Sequence, residues 1–224
     1  MGAPTIRNSA KSASMTDPGT AVIPQPVSGN FIVVFAVGSG SFAAINAHDS
    51  ASNTYTRQSA QVDDSGNYIV CYTAPVTATG SGNLTVSVEI TSCVIAMELT
   101  GNVSSTPIDG SVTTGNYNSA GPGTITATGI VTTVATDLIL SGVVDQNQAA
   151  ITVNTGTSVQ SSTLYDTFIV QQHTTSATGT FAEAFNVPSS SGETARMIAI
   201  AIKGTAAGGI SIPAVMYNYR QRRM

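Results

Sequence analysis

The chain has 224 residues, only 9% of them charged, and a formal net charge of −4. Ordinary soluble domains carry about 25% charged residues, so most of the polarity here comes from Ser, Thr, Asn, Gln and Gly. Hydrophobic residues make up 42% of the chain, which together with the small net charge excludes an intrinsically disordered protein. The longest apolar run, residues 31–37, is too short for a membrane span.

The first 24 residues are rich in Ser, Thr, Ala and Pro and show no strand or helix periodicity. We therefore predict an extended N-terminal arm, which contains the basic residues Arg7 and Lys11. The start of the chain has no apolar run suited to the core of a signal peptide, so we expect synthesis in a cytoplasm without export.

Residues 25–205 consist of apolar runs of strand length separated by Gly, Ser and Asn. This spacing predicts an all-β antiparallel sandwich of the jelly-roll type. Phe31–Val37 is apolar at every position, as in a central strand covered on both faces. Leu84, Val86 and Val88 alternate with polar residues, which indicates a half-exposed strand. The predicted strands are Asn30–Gly38, Phe42–Ala47, Tyr55–Val62, Asn67–Ala74, Asn83–Ile90, Cys93–Thr100, Thr124–Val134, Asp137–Val144, Ile151–Asn154, Thr167–Gln172, Thr180–Val187 and Ala195–Lys203.

Four segments of the first half are echoed in the same order in the second half. They are GNFIVVFAV with TDLILSGVV, NYIVCYTA with TFIVQQHT, GNLTVSVEI with GTFAEAFNV, and CVIAMELTG with RMIAIAIKG. These echoes predict two pseudo-repeats, at about residues 29–104 and 136–205; the competing explanation is that β-sandwich strands resemble one another.

The last echo also predicts which faces are buried. Aligning Gly101 with Gly204 places Ile95, Met97 and Leu99 on Ile198, Ile200 and Ile202. Equal strand parity means that both runs bury the same face. The repeats could share one sandwich or form two small tandem domains, and we favour one sandwich.

Residues 206–224 begin with the breaker Ala-Ala-Gly-Gly at 206–209 and contain Pro213, which does not suit a central strand. We predict a C-terminal arm or an edge addition with aromatic and basic anchors. Five of the eight basic residues lie in the two end segments, while eleven of the twelve acidic residues lie between them. This division predicts docking onto copies of the chain or onto a partner. The predicted docking residues are Arg7, Lys11, Tyr217, Tyr219, Arg220, Arg222 and Arg223.

Cys71 and Cys93 lie in apolar runs and are interpreted as buried free thiols, with a bridge between neighbouring strands as the alternative. No His or further Cys stands at metal-ligand spacing, so we predict neither a metal nor a cofactor. Asp49 and Asn53 are interpreted as a turn rather than a calcium loop. Asp63 and Asp64 are interpreted as a hairpin tip.

Glu98 lies in a strand, on the face opposite Ile95 and Met97, and we expect it to be exposed or salt-bridged. His48 and His173 are the only histidines. No Gly-x-Ser-x-Gly elbow accompanies them, so we predict no catalytic triad and no enzyme. The basic tail contains too few arginines for strong nucleic-acid binding.

Residues 29–104 resemble a recurrent β-sandwich module of phage particles and bacterial surface proteins. GNFIVVFAV, DSASNTYT, YIVCYTAPVTATGSGNLTVSVEI and VIAMELTG carry this resemblance, and TDLILSGVV and ARMIAIAIKG extend it to the second half. The resemblance implies a jelly-roll-like or immunoglobulin-like sandwich used for display or attachment, and it supplies no active-site residues.

From these observations we expect a non-enzymatic structural protein of a phage particle. Its place would be in a head decoration, a tail or baseplate, or a receptor-binding component. The expected partners are other virion proteins and copies of itself, and the expected location is the virion, without a membrane or nucleic-acid partner. The alternative is a carbohydrate-binding or adhesive surface module that binds a host-surface glycan.

Overall fold

A computed structural model describes residues 3–40, 45–62, 66–89, 91, 93–101, 106–119, 121–145, 150–164, 167–188 and 193–204. Within these ranges the chain forms sixteen β-strands and no helix. The described part therefore has no helix that could cross a membrane. The expected all-β class is confirmed.

The strands follow one another with short connections. In chain order they are β1 (Thr5–Lys11), β2 (Gly19–Ile23), β3 (Phe31–Ser39), β4 (Ala47–Asp49), β5 (Thr56–Val62), β6 (Asn67–Pro75), β7 (Leu84–Val88), β8 (Cys93–Thr100), β9 (Ile108–Ser119), β10 (Gly123–Thr132), β11 (Leu138–Asp145), β12 (Thr152–Val153), β13 (Thr157–Ser162), β14 (Thr167–Thr174), β15 (Gly179–Val187) and β16 (Glu193–Ile202).

The second eight strands repeat the topology of the first eight. Strands β1 to β8 form a five-stranded sheet, β1-β8-β3-β6-β5, and a three-stranded sheet, β2-β7-β4. Strands β9 to β16 form the equivalent sheets β9-β16-β11-β14-β13 and β10-β15-β12. Every pairing between described strands is antiparallel. Each half is thus a jelly-roll-like sandwich, and we name the halves the first and the second sandwich.

Three apolar cores lie between four sheets. Each sandwich has an inner core between its own two sheets. A central core joins the two five-stranded sheets, so the sandwiches are stacked face to face. Strand β3 shows how this arises, because Phe31, Val33 and Phe35 enter the central core while Ile32 and Val34 enter the first inner core. The apolar run Phe31–Val37 is therefore covered on both faces, as the sequence predicts.

The four echoed segments occupy equivalent strands: β3 and β11, β6 and β14, β7 and β15, β8 and β16. The predicted parity of β8 and β16 is confirmed, because all six aligned residues lie in the central core. The echo between β6 and β14 is displaced by one residue. Ile69 of β6 and Phe168 of β14 both face the central core, whereas Tyr68 faces the first inner core. In a strand, a slip of one residue exchanges the faces.

The N-terminal segment does not match the arm expected from the sequence. Thr5–Lys11 pairs with β8, and Gly19–Ile23 pairs with β7. The equivalent strands of the second sandwich are β9 and β10, so the repeats begin at Thr5 and Ile108 rather than near residues 29 and 136. Both β1 and β2 lie at sheet edges, where few apolar residues are required, and for this reason their sequences resemble loops.

The stacking of the sandwiches differs from the single shared sandwich that we favoured. Strand β1 contacts β13 of the other sandwich, and β5 contacts β9. Because β1 is equivalent to β9 and β5 to β13, these two contacts are related by a pseudo-two-fold exchange, as in an isologous dimer. The equivalent residues Phe35 and Gly142 meet in the middle: a Cβ atom placed on Gly142 would lie 2.7 Å from Cδ1 of Phe35.

Candidate functional site

Most of the acidic residues whose burial the structure describes are buried, although the chain is weakly charged. Six of these eight Asp and Glu residues have 7% or less of their surface exposed. Buried carboxylates require hydrogen bonds or counter-ions, so these residues identify the built polar sites of the molecule. They are Asp49, Glu98, Asp109, Asp137, Asp145 and Glu183.

Glu98 is the centre of a fully hydrogen-bonded cluster in the first sandwich. Its Oε2 accepts hydrogen bonds from Arg7 at 2.7 Å and from Asn8 at 2.6 Å. Its Oε1 accepts them from the backbone N–H of Val27 and from Nδ2 of Asn30, both at 2.7 Å. Burial alone would raise the pKa of Glu98, but these four hydrogen bonds outweigh it and lower that pKa below its ordinary value. Of the two expectations for Glu98, exposure and a salt bridge, the salt bridge is confirmed and exposure is wrong, because the carboxylate is fully buried.

A second carboxylate cluster lies at the equivalent end of the second sandwich. Asp109 accepts hydrogen bonds from the N–H and the hydroxyl of Thr133, and Lys203 Nζ lies 3.4 Å from its Oδ1. Asp137 Oδ1 accepts the backbone N–H of Gly204 at 3.0 Å. Burial and the neighbouring Asp109 raise the pKa of Asp137 to about 7. Burial opposes ionisation of Asp109 as well, but its hydrogen bonds with Asp137 and Thr133 lower its pKa to about 2.

Glu183 holds a polar network inside the second sandwich. Its Oε2 accepts hydrogen bonds from Gln171 and Thr155, each at 2.8 Å, and its Oε1 lies 2.8 Å from Nδ1 of His173. Glu183 is completely buried, whereas 34% of the His173 side chain is exposed. The ring of His173 also stands edge-on to Phe181. This arrangement fixes the orientation of a half-exposed imidazole by means of a buried carboxylate.

The Asp49 segment is a turn, as interpreted from the sequence. Oδ1 of Asp49 accepts the backbone N–H groups of Ala51 and Asn53, and its Oδ2 accepts Nδ2 of Asn53 and the hydroxyl of Tyr55. Burial and the adjacent Asp49 raise the pKa of Tyr55. The described residues contain no group of three or more His, Cys, Asp or Glu that could hold a metal ion.

Two of the predicted docking residues lie in the described part, and both bond within the chain. Arg7 pairs with Glu98, and Lys11 Nζ donates a hydrogen bond of 2.6 Å to the backbone oxygen of Ser161 across the stacked sandwiches. These two contacts hold β1 against the rest of the chain, so the side chains of both residues are already engaged within the molecule. The other predicted docking residues lie outside the described residues: Tyr217, Tyr219, Arg220, Arg222 and Arg223.

The remaining residues singled out from the sequence are dispersed. His48 is exposed on β4, far along the chain from the Glu183 network. Cys71 and Cys93 are buried and free, as interpreted, and both face the central core. Asp63 and Asp64 lie outside the described residues.

Sequence reasoning missed Asp109, Asp137 and Glu183. A signal for Glu183 was present, because it shares strand parity with Phe181 and Phe185 and therefore points inward.

Comparison with known protein families, with curated proteins and with solved structures gives no match to this chain.

Proposed function

We propose that this chain is a non-enzymatic structural subunit of a phage particle, in a head decoration, a tail or baseplate, or a receptor-binding component. The observation that carries the proposal is the pair of jelly-roll-like sandwiches joined by one central core. Jelly rolls recur in capsid proteins and lectins. This support is an analogy at the level of the fold, and the resemblance carried by the strand and turn patterns adds to it.

The charges support assembly through the C-terminal segment. Residues 1–204 contain five basic residues and all twelve acidic residues. Each of those five basic residues has an internal contact: Arg7, Lys11, Arg57, Arg196 and Lys203. The basic residues beyond them are Arg220, Arg222 and Arg223, which we propose to dock onto a neighbouring copy or another virion protein.

Light scattering on the full chain tests this role. We expect assemblies larger than a monomer for the full chain and a monomer after deletion of residues 206–224, with an unchanged strand signal in circular dichroism. A full-length variant with all three tail arginines replaced by Gln is the matched control, and it should also weaken assembly. A strict monomer that binds glycans on an array would overturn the proposal in favour of an adhesive module.

One groove bears on the adhesive alternative. It has a volume of about 360 Å³, near the lower limit for small-molecule sites. However, Asn30 Nδ2 is committed to Glu98, and the Thr77 hydroxyl donates to Asn53. Few donors remain for sugar hydroxyls, so the structural role is better supported. The groove is lined by Ser28, Gly29, Asn30, Phe31, Pro75, Val76 and Thr77.

A further inference from the structure

The two carboxylate clusters occupy equivalent places, and the strand registers show it. Phe31 lies opposite Leu99 in the first sandwich, and Leu138 lies opposite Ile202 in the second. The residues immediately before Phe31 and Leu138 are Asn30 and Asp137. The Asp of the second sandwich therefore stands where the first sandwich has an Asn.

This replacement removes a hydrogen-bond donor from the cluster. Asn30 uses its amide N–H to donate to the carboxylate of Glu98 at 2.7 Å. Asp137 has no amide, and a carboxyl group donates only while it is protonated. Oδ1 of Asp137 already accepts the N–H of Gly204. Its Oδ2 is buried and accepts no hydrogen bond from the described part of the chain. Oδ2 is therefore the oxygen of Asp137 that is free to be protonated and to donate a hydrogen bond to Asp109.

We propose that Asp109 and Asp137 share one proton and form a pH-sensitive clamp, which holds the end of β16 while the proton is bound and loosens when it is lost. The clamp joins three elements. Asp109 lies on β9, Asp137 precedes β11, and Lys203 and Gly204 follow β16. The inference concerns this end of the second sandwich and does not depend on the proposed function.

The charges around the pair give the direction of the switch. Among the described residues, Lys203, directly after β16, is the charged group beside the pair. The hydroxyl of Thr133 donates to the carboxylate of Asp109, and Thr175 bonds to the backbone N–H and carbonyl of Asp137. With one proton, the pair carries a single negative charge that Lys203 balances. Without the proton, two buried carboxylates face one ammonium group, and like charges in a buried site repel strongly. The raised pKa of Asp137, about 7, places this change near neutral pH.

Amide hydrogen exchange on the full chain tests the clamp at Gly204 and Thr133, whose N–H groups bond to the two carboxylates. Protection factors, corrected for the chemical exchange rate, should fall by up to about tenfold per pH unit between about pH 5.5 and the pKa of the pair. The N–H of Val27, which bonds to Glu98, is the internal control and should show no such fall. Equal pH dependence at Val27 and Gly204 would overturn the proposal.

Asp137→Asn provides the matched variant, because its amide donates to Asp109 as Asn30 donates to Glu98. We expect protection at Gly204 that is high and independent of pH. If the variant loses protection at low pH as well, the shared proton is not what holds the clamp. A carboxyl carbon NMR titration of the wild-type chain gives an independent reading that requires no variant. It should show one aspartate titrating near neutral pH, and full ionisation of every Asp at about pH 5.5 would refute the clamp.

Discussion

The first and second sandwiches have the same strand order but different interiors. Val86 of β7 is part of the first inner core, whereas the aligned residue of β15 is Glu183, which binds Gln171 and His173. Tyr72 lies opposite Val34 in the first sandwich, and Gln171 occupies the equivalent place in the second. One topology thus accommodates both an apolar and a polar interior, provided that the alternation of the strands is kept and the buried polar groups find partners.

The carboxylate clusters differ in the same way. The first has a guanidinium group and two amides around one carboxylate. The second has two carboxyl groups and one lysine. A cluster with fixed donors keeps its hydrogen bonds over a wide pH range, while a cluster whose donor is a carboxylic acid depends on pH. Repeats of one fold can therefore differ in their response to protons without any change in topology.

The largest effect is expected from exchanging the two residues at the pseudo-two-fold contact. Gly142→Phe alone should overpack the central core and prevent native folding, since even a Cβ atom would lie 2.7 Å from Phe35. Phe35→Gly alone should cost about 3–5 kcal/mol of unfolding free energy through the cavity it leaves. The double exchange should recover much of this loss, as measured by guanidinium unfolding.

Gly121→Ala serves as the control for that exchange, because a Cβ atom there meets no atom within 4 Å. It should leave the unfolding free energy nearly unchanged. If the double exchange is no more stable than Phe35→Gly, the two positions are not interchangeable and the pseudo-two-fold relation does not extend to packing.

A smaller effect should follow from making the first cluster resemble the second. Asn30→Asp places a carboxyl group against Glu98, and its pKa in the folded state should rise above the ordinary value. A raised folded pKa means that the proton is lost more readily on unfolding, so the unfolding free energy falls as the pH rises above about 4. We expect a loss of about 1–3 kcal/mol at alkaline pH and little at acid pH.

Urea unfolding of Asn30→Asp at several pH values measures this effect, with the isosteric reverse change Asp137→Asn as its counterpart. Arg7 lies 2.7 Å from Glu98. Its positive charge should make the unfolding free energy of Asn30→Asp depend less on pH than the contribution of the Asp109–Asp137 pair does. A pH dependence equal in wild type and Asn30→Asp would show that the environment of Glu98 does not resemble that of Asp109.

The smallest effect is expected where the two sandwiches meet at the surface. Lys11→Met removes the exposed hydrogen bond to Ser161 and should cost about 0.5 kcal/mol in thermal or chemical unfolding. Particle size in light scattering should not change. Arg222→Met is the comparison variant, and it should weaken assembly without affecting stability. If Lys11→Met weakens assembly instead, the docking role predicted for Lys11 from the sequence is correct.

Sequence patterns located all of the described interior strands but only some of the edge strands. The predicted run Cys93–Thr100 coincides with β8, which lies between two neighbours. Strands β1, β2, β9 and β13 were not predicted, and all four lie at sheet edges. An edge strand has one hydrogen-bonded neighbour and faces solvent along its other side, so its sequence need not be apolar. The one-residue displacement of β14 was hidden because both registers place apolar residues in a buried strand.

Long-range contacts determine which residues meet in the candidate sites even more than they determine where the strands lie. Strand parity predicts that Glu98 faces away from the central core, but its four donors come from two distant segments, residues 7–8 and 27–30. Asp109 and Asp137 are 28 positions apart in the sequence, and no local pattern connects them. Their proximity follows from the position of β16 between β9 and β11.

The sequence by itself determined the all-β class, the repeated strand segments and the buried faces of the interior strands, because alternation along a strand is a local property. Tertiary structure decided that the repeats form two stacked sandwiches rather than one. It also decided that Phe35 meets Gly142 and that the two carboxyl groups of the second sandwich lie together. The physical reason is that sheet pairing and the stacking of sheets bring together residues far apart in the chain, and their combined burial fixes both packing and protonation.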